Sequence, residues 1–343
     1  MRKQSPKGGR SLAAIYLTSA LLLLAGVVLA VCAGKYPLSP AESLRILLNG
    51  LLGRDSGYPL MTQNVVMGLR LPRILGSVLV GAALSISGAA YQSSFKNPLV
   101  SPDLLGISSG ACIGAAAAIL LSLPTAGISL FAFLGGIAAV TLTMSIPVLI
   151  GNRSNVVLVL SGVIVGAAMS SILGFIKYIA DPETQLASIT YWSMGSFAYV
   201  TLGELMILLP VLLVPTVVLL LLSWWIDVLS MGETEARALG ANVNLVRGIT
   251  IACATLLTAG SVCIAGTIGW VGLIVPHFGR MLTDPSNRRL MPLCGLLGGL
   301  FMLAVDTLTR TIGVTEMPVS ILTGVIGAPF YCWLLFRQRR SLG

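Results

Sequence analysis

Few side chains in this 343-residue chain could perform covalent or metal chemistry, and their spacing does not favour it. There is one histidine, His277, so an HExxH zinc site cannot be built. It follows Pro276 near a predicted helix end, where a structural or interfacial role is expected. The six cysteines, Cys32, Cys112, Cys253, Cys263, Cys294 and Cys332, lie in apolar runs, form no CxxC, and are expected to be free thiols acting as small hydrophobes. No lysine is followed by Ser or Thr, so the phosphate loop GxxxxGK[ST] is absent. Gly106-Ile107-Ser108-Ser109-Gly110 does match GxSxG. That motif needs a strand-to-helix turn, whereas this stretch opens an apolar helix, so a packing face is expected rather than a Ser108 nucleophile.

The ionisable groups are more informative. Only 10% of residues are charged and 56% are apolar, with a mean hydropathy of +0.94. A soluble protein carries about 25% charged residues to wet its surface, so a soluble enzyme is excluded, as is a disordered or nucleic-acid-wrapping chain. The class that remains is an integral membrane protein. Within it, Arg70, Arg73, Glu204, Asp306 and Arg310 are predicted near helix ends, and the middles of the spans are free of charge. Ion-coupled transporters place carboxylates at the midplane, often beside broken helices. Their absence implies that energy for transport enters from outside this chain, which is the expectation for a subunit.

The elements that must position these groups are long continuous apolar runs, which specify helices rather than a barrel. The predicted spans are 12–33, 66–92, 104–121, 128–150, 156–178, 203–226, 248–268, 270–282, 291–311 and 319–336. The fold class is therefore an all-α integral membrane protein of about ten transmembrane helices in one domain, 1–343, with the eighth span too short to cross alone. The first run, preceded by Arg2, Lys3, Lys7 and Arg10, has a signal-peptide look. It is too long for a signal core and has Val31 before Cys32, so an uncleaved helix is expected. With the N-terminus inside, fourteen of the 21 Lys and Arg fall on the inner side, so both termini, 1–11 and 337–343, are expected in the cytoplasm. The net charge of +9 lies wholly in the inner loops and reports topology, not an anionic cargo. Glycines four apart (Gly106, Gly110 and Gly114; Gly162 and Gly166) predict close helix approach.

Three segments resemble one family. Arg70-Leu71-Pro72-Arg73, with Gly81-Ala82-Ala83-Leu84 and Asn97-Pro98-Leu99-Val100-Ser101-Pro102-Asp103-Leu104-Leu105-Gly106, looks like the signature of FecCD-type permeases. These are the membrane subunits of binding-protein-dependent ABC importers for iron–siderophores, haem and cobalamin. Gly232-Glu233-Thr234-Glu235-Ala236-Arg237-Ala238-Leu239-Gly240 resembles the family's cytoplasmic coupling helix, and Gly269-Trp270-Val271-Gly272-Leu273-Ile274-Val275-Pro276-His277 with Arg280 resembles its stretch at the eighth helix.

The resemblance implies type II ABC importer architecture: two such subunits, identical or similar, around one path, two cytoplasmic ATPase subunits, and an extracytoplasmic substrate-binding protein. No cofactor is expected in this chain, ATP-Mg being bound by the partner subunits, and no enzymatic activity of its own. The coupling residues implied are Gly232, Glu233, Ala236, Leu239, Gly240 and Arg280, within a polar inner stretch at 228–247. Met231 to Leu245 alternates apolar and charged residues, as one amphipathic helix should. Arg70, Arg73 and Arg310 match arginines that receive acidic groups of the binding protein, a task for exposed guanidiniums. Asn97, Pro98 and Leu99 match a translocation gate where proline breaks the second helix. Ser154 and Asn155, beside Asn152 and Arg153, match a second gate loop by position only.

The expected function is a permease subunit that alternates access in a prokaryotic inner or plasma membrane, with lipid around it and no nucleic acid. Ferric siderophore is expected as the family's commonest cargo, with haem, cobalamin and molybdate-type oxyanions open. A self-contained secondary transporter or channel is the alternative of another class.

Overall fold

The computed structural model describes residues 9–152, 154–313 and 315–342; Arg2, Lys3, Lys7 and Arg153 lie outside them, as do the side chains of Arg10, Asn155, Arg337, Arg339 and Arg340. All regular structure among the described residues is helical. Each predicted span has its helix: α1 Gly9–Cys32, α4 Leu71–Ser94, α5 Ile107–Leu120, α6 Thr125–Ile150, α7 Asn155–Ile179, α9 Leu202–Met231, α11 Val243–Ala265, α12 Val271–Leu282, α13 Asn287–Thr311 and α14 Val319–Leu342. Among the described residues, seven helices are long and apolar enough to cross a bilayer; the stretches within α5, α12 and α14 are shorter.

Three short helices lie between the spans: α2 Pro40–Leu51, α8 Gln185–Met194 and α10 Glu233–Ala238. The first is built locally. The Ser39 hydroxyl accepts from the Glu42 amide while the Glu42 carboxylate accepts from the Ser39 amide, and Pro40 fits the first turn. The second span also begins earlier than its apolar run. Leu60–Asn64 (α3) leads through a π-helical turn, Val65–Arg70, straight into α4, giving one helix from Leu60 to Ser94. This corrects the expectation that Arg70 and Arg73 stand at a helix end: they lie several turns inside.

The organising element is α4, which packs against α9, α11, α12 and α13. It is largely lined by small residues, and backbones come within van der Waals reach of one another. A Cβ on Gly88 would sit 1.8 Å from the Gly272 carbonyl oxygen, and one on Gly298 would sit 2.3 Å from that of Gly81. The predicted small-residue contacts form in the same way between α5 and α6, where Gly110 and Gly135 face each other. Hydroxyls join the packed faces: Ser87 with Thr258 and Tyr91 with Thr255, each at 2.8 Å. The short α12 is held to α14 by aromatic rings, with Phe278 stacked on Phe330 at 4.6 Å and His277 edge-on to the same ring. At the head of α12, Trp270 takes φ +73° and fills the space over Gly327.

These contacts separate two glycines of the same type. Gly88→Ala is expected to lower the stability of the detergent-solubilised protein by about 1–3 kcal/mol, the usual cost of overpacking. Gly248→Ala, exposed on α11 with nothing near its added methyl, is expected to be neutral or to stabilise by up to about 1 kcal/mol. Thermal unfolding of the two variants checks the difference; equal shifts would refute the close contact at Gly88.

Candidate functional site

One end of the bundle carries α10. Gly232 joins it to α9 at φ +154°, where a Cβ would also strike the Glu235 carboxylate, so glycine is required. The helix closes at Gly240, φ +83°, with the Gly240 and Ala241 amides bonded to the Arg237 and Ala236 carbonyls. The expected single amphipathic helix from Met231 to Leu245 is therefore three pieces: the end of α9, α10, and α11 starting after its cap Asn242. Two tight turns interrupt the pattern. Ala236 is buried in a cluster with Val228, Leu229, Ala241, Val243 and Val246, and it anchors α10. Glu233, Arg237 and Leu239 stay exposed. Glu233 accepts from Arg247 of α11 at 2.7 Å, and this bond, assisted by Arg237 and Lys96, holds its carboxyl below the usual glutamate range. Arg280 stands apart from this segment: it donates to Gln92 of α4 at 2.5 Å.

Lys96 belongs to the loop containing Asn97, Pro98 and Leu99, all exposed. The expected helix break at Pro98 is not what ends α4. The helix stops at Ser94, and Lys96 adopts φ +52° while the Lys96 and Asn97 amides bond to the Ser93 and Gln92 carbonyls. This is a Schellman cap with lysine where glycine is usual, completed before the proline is reached. Asn97 then accepts from the Leu99 amide at 2.9 Å. Beyond it, Leu104 packs on α7, where a Cβ on Gly162 would lie 1.9 Å from its carbonyl oxygen. Ser154 caps α7 by accepting from the Val157 amide, and Asn152 accepts from the Ser154 amide at 3.0 Å. Ser108 donates to Asp103 at the start of α5.

The opposite end holds the three arginines, and here the sequence expectation of exposed guanidiniums is overturned. Arg70, Arg73 and Arg310 are 5%, 7% and 6% exposed. Arg70 donates to the Val31 and Tyr36 carbonyls at 2.7 and 2.8 Å, and Arg310 donates to that of Ala30. The last carbonyls of α1 have no partner within their own helix, and two cations complete them. Arg73 pairs with Asp306 of α13 at 2.7 Å and with Glu316 at 2.8 Å. Asp306 is fully buried; its second oxygen lies 3.9 Å from Arg310 Nε, with no hydrogen-bond partner for either atom. Charges taken so far from water are retained only when paired, so the network fastens α1, α4 and α13 together.

Beside it opens a cavity of about 930 Å³, bounded by the α5–α6 turn, α8 and the ends of α9, α11 and α14. Tyr191, Trp192 and Tyr199 give it aromatic walls; Glu204 and Glu316 are its charged lining residues, and no Lys or Arg lines it. No group of three His, Cys, Asp or Glu capable of holding a metal occurs among the described residues.

The sequence reading passed over Asp227, Gln92, Ser286 and Asn287, which bond to one another or to neighbouring helices at the α10 end. A carboxylate in the last turns of an apolar span was the available signal. At the arginine end, Asp306→Asn is expected to cost about 3–5 kcal/mol, because it leaves buried guanidiniums without their carboxylate. Glu316→Gln, whose side chain is 43% exposed, should cost no more than about 1 kcal/mol. Thermal unfolding in detergent separates them, and an unshifted midpoint for Asp306→Asn would show that the pair is not stabilising.

Similarity to known proteins accords with this geometry. The model of the FecCD transport family matches residues 22–337. The molybdate import system permease protein MolB of Haemophilus influenzae is 36% identical over 321 residues, covering 94% of this chain and 95% of that one. The hemin transport system permease protein HmuU of Yersinia pestis is 36% identical over 286 residues, covering 81% and 85%. A solved structure described as a metal-chelate type ABC transporter in an inward-facing conformation superposes with a TM-score of 0.84 at 35% identity, covering 95% of this chain and 99% of that one. The chain belongs to the FecCD transport family, as a permease of ABC importers for metal chelates or related substrates.

Proposed function

We propose that two copies of this chain form the membrane path of an importer for a ferric chelate, powered by two ATP-binding subunits on the cytoplasmic side. The α10 end is that side, in keeping with the excess of Lys and Arg in the loops assigned to it. The observation that carries the reading is α10 itself. It is a short helix fixed to the bundle by Ala236 and the Glu233–Arg247 pair, with its remaining polar face open. A soluble partner that grips such a knob moves the helices rigidly attached to it. The loops at Asn97–Leu99 and at Ser154–Asn155 serve as the inner gate. The path then opens to alternate sides as the ATP-binding subunits close and separate, with no covalent chemistry on this chain.

An extracytoplasmic binding protein delivers cargo at the arginine end. Because Arg70, Arg73 and Arg310 are committed to internal partners, their part is to hold the rims of α1, α4 and α13 in register. The cavity beside them supports a bulky chelate over a small oxyanion. It is far larger than a tetrahedral anion needs, and its charged lining residues are carboxylates, which repel one.

In proteoliposomes holding the complete importer, Glu233→Arg is expected to abolish uptake while the protein remains inserted; unchanged uptake would sink the assignment of α10. The same preparation is expected to take up a neutral or cationic ferric chelate at least about tenfold faster than molybdate, the ratio that about 1.4 kcal/mol of discrimination gives. Preference for molybdate would reverse the cargo assignment. Liposomes holding this chain alone under an ion gradient are expected to show no flux.

A further inference from the structure

The α10 end contains a run of hydrogen bonds that belongs to none of the family motifs except through Arg280. Asp227 lies on α9, little more than a turn before Gly232. Its Oδ1 accepts from both the backbone amide and Nδ2 of Asn287, each at 2.7 Å, and its Oδ2 accepts from the Ser286 hydroxyl at 2.8 Å. Ser286 is the residue before α13, a position whose own side chain usually accepts from first-turn amides, yet it makes no such bond. The cap of α13 is supplied from α9 instead, as a carboxylate, which the positive end of the helix dipole favours.

Asn287, 1% exposed, passes the contact on: its Oδ1 accepts from the Ser93 hydroxyl of α4 at 2.7 Å. Next to Ser93, Gln92 is 2% exposed, donates to the Gly272 and Leu273 carbonyls of α12, and accepts from Arg280. Gln92 and Ser93 are also the two residues whose carbonyls accept the Asn97 and Lys96 amides and so shape the gate loop. A carboxylate at the root of α10 is thereby joined to that loop through two side chains, Asn287 and Ser93, with Ser286 bracing the carboxylate, while the covalent route between them runs through α5, α6, α7, α8 and α9.

We infer that Asp227, braced by Ser286 and acting through Asn287 and Ser93, transmits displacement of α10 to the Asn97–Leu99 loop, as a positioning residue for the gate. This rests on α10 being the coupling helix. Each link is short and Asn287 at its centre is buried, with Asp227, Ser286 and Ser93 half-buried, so the chain of contacts behaves as a strut. The direct bond from α10 itself to a neighbouring helix, Glu233–Arg247, is half exposed and correspondingly weak. The strut leads towards α4 and the gate, whereas the Arg247 bond leads to α11.

The test uses the complete importer, with permease dimer, ATP-binding subunits and binding protein, reconstituted with nitroxide labels on Leu99→Cys in both copies. Asp227→Ala is expected to keep the ATP-binding subunits bound and ATP hydrolysis within about twofold of the parent. Uptake per ATP should fall about tenfold, within the range known for residues that carry coupling. The ATP-dependent change in the distance between labels should vanish, and Asp227→Glu, which keeps the carboxylate, should restore most of both. Asp227→Asn gives an intermediate loss if Asp227→Ala fails to assemble. Retention of uptake per ATP and of the distance change would overturn the inference. So would a loss of hydrolysis in proportion to uptake, which marks a merely structural role. Failure of the underlying reading is separate: it appears as normal assembly and uptake in Glu233→Arg.

Discussion

Inside a bilayer, a polar group that is not satisfied by the protein is not satisfied at all, and helices gain little from excluding one another from lipid. Close packing therefore has to be built from shape and from internal hydrogen bonds. In this chain the burden falls on α4. Its contacts with α12 and α13 bring backbones together at Gly88 and Gly272 and at Gly81 and Gly298, and its hydroxyls bond to α11. Because α4 touches five other spans, its position sets theirs.

Both ends of α4 are then used, for different purposes. Towards one end, Arg70 and Arg73 are spent on the open carbonyls of α1 and on Asp306, producing a fixed frame beside a wide aromatic cavity. At the other end, Gln92 and Ser93 meet α12 and α13 just before the helix stops in a strained but fully bonded cap. The charged network is buried and rigid; the polar network connects to an exposed loop and to α10. A permease moved from one end needs this asymmetry, with a stable frame at the arginine end and, at the α10 end, contacts through which motion can be passed between helices.

Much of this was legible in the chain itself. The helical spans follow from long continuous runs of apolar residues, seven of them long enough to cross a bilayer, and the family motifs lie partly within those helices and partly in the turns between them. Spans alone said little about α2 and α8, which are too short to cross and are made by local capping and side packing. The alternating stretch after Met231 suggested one helix because periodicity cannot register two glycines at positive φ that cut it. Pro98 drew attention as a helix breaker, whereas a cap formed by Lys96 two residues earlier does the work.

The sequence by itself determined the class, the spans and the family, because each depends on composition or on residues adjacent in the chain. Tertiary structure alone decided the state of the arginines and the partners of Asp227. Arg73 and Asp306 are 233 positions apart, and Asp227 and Asn287 are 60 apart. A charge near the start of an apolar run looks exposed until the fold supplies a carboxylate to bury it with. Pairing across helices is set by how the spans pack, and no local pattern in the chain encodes which distant group will arrive.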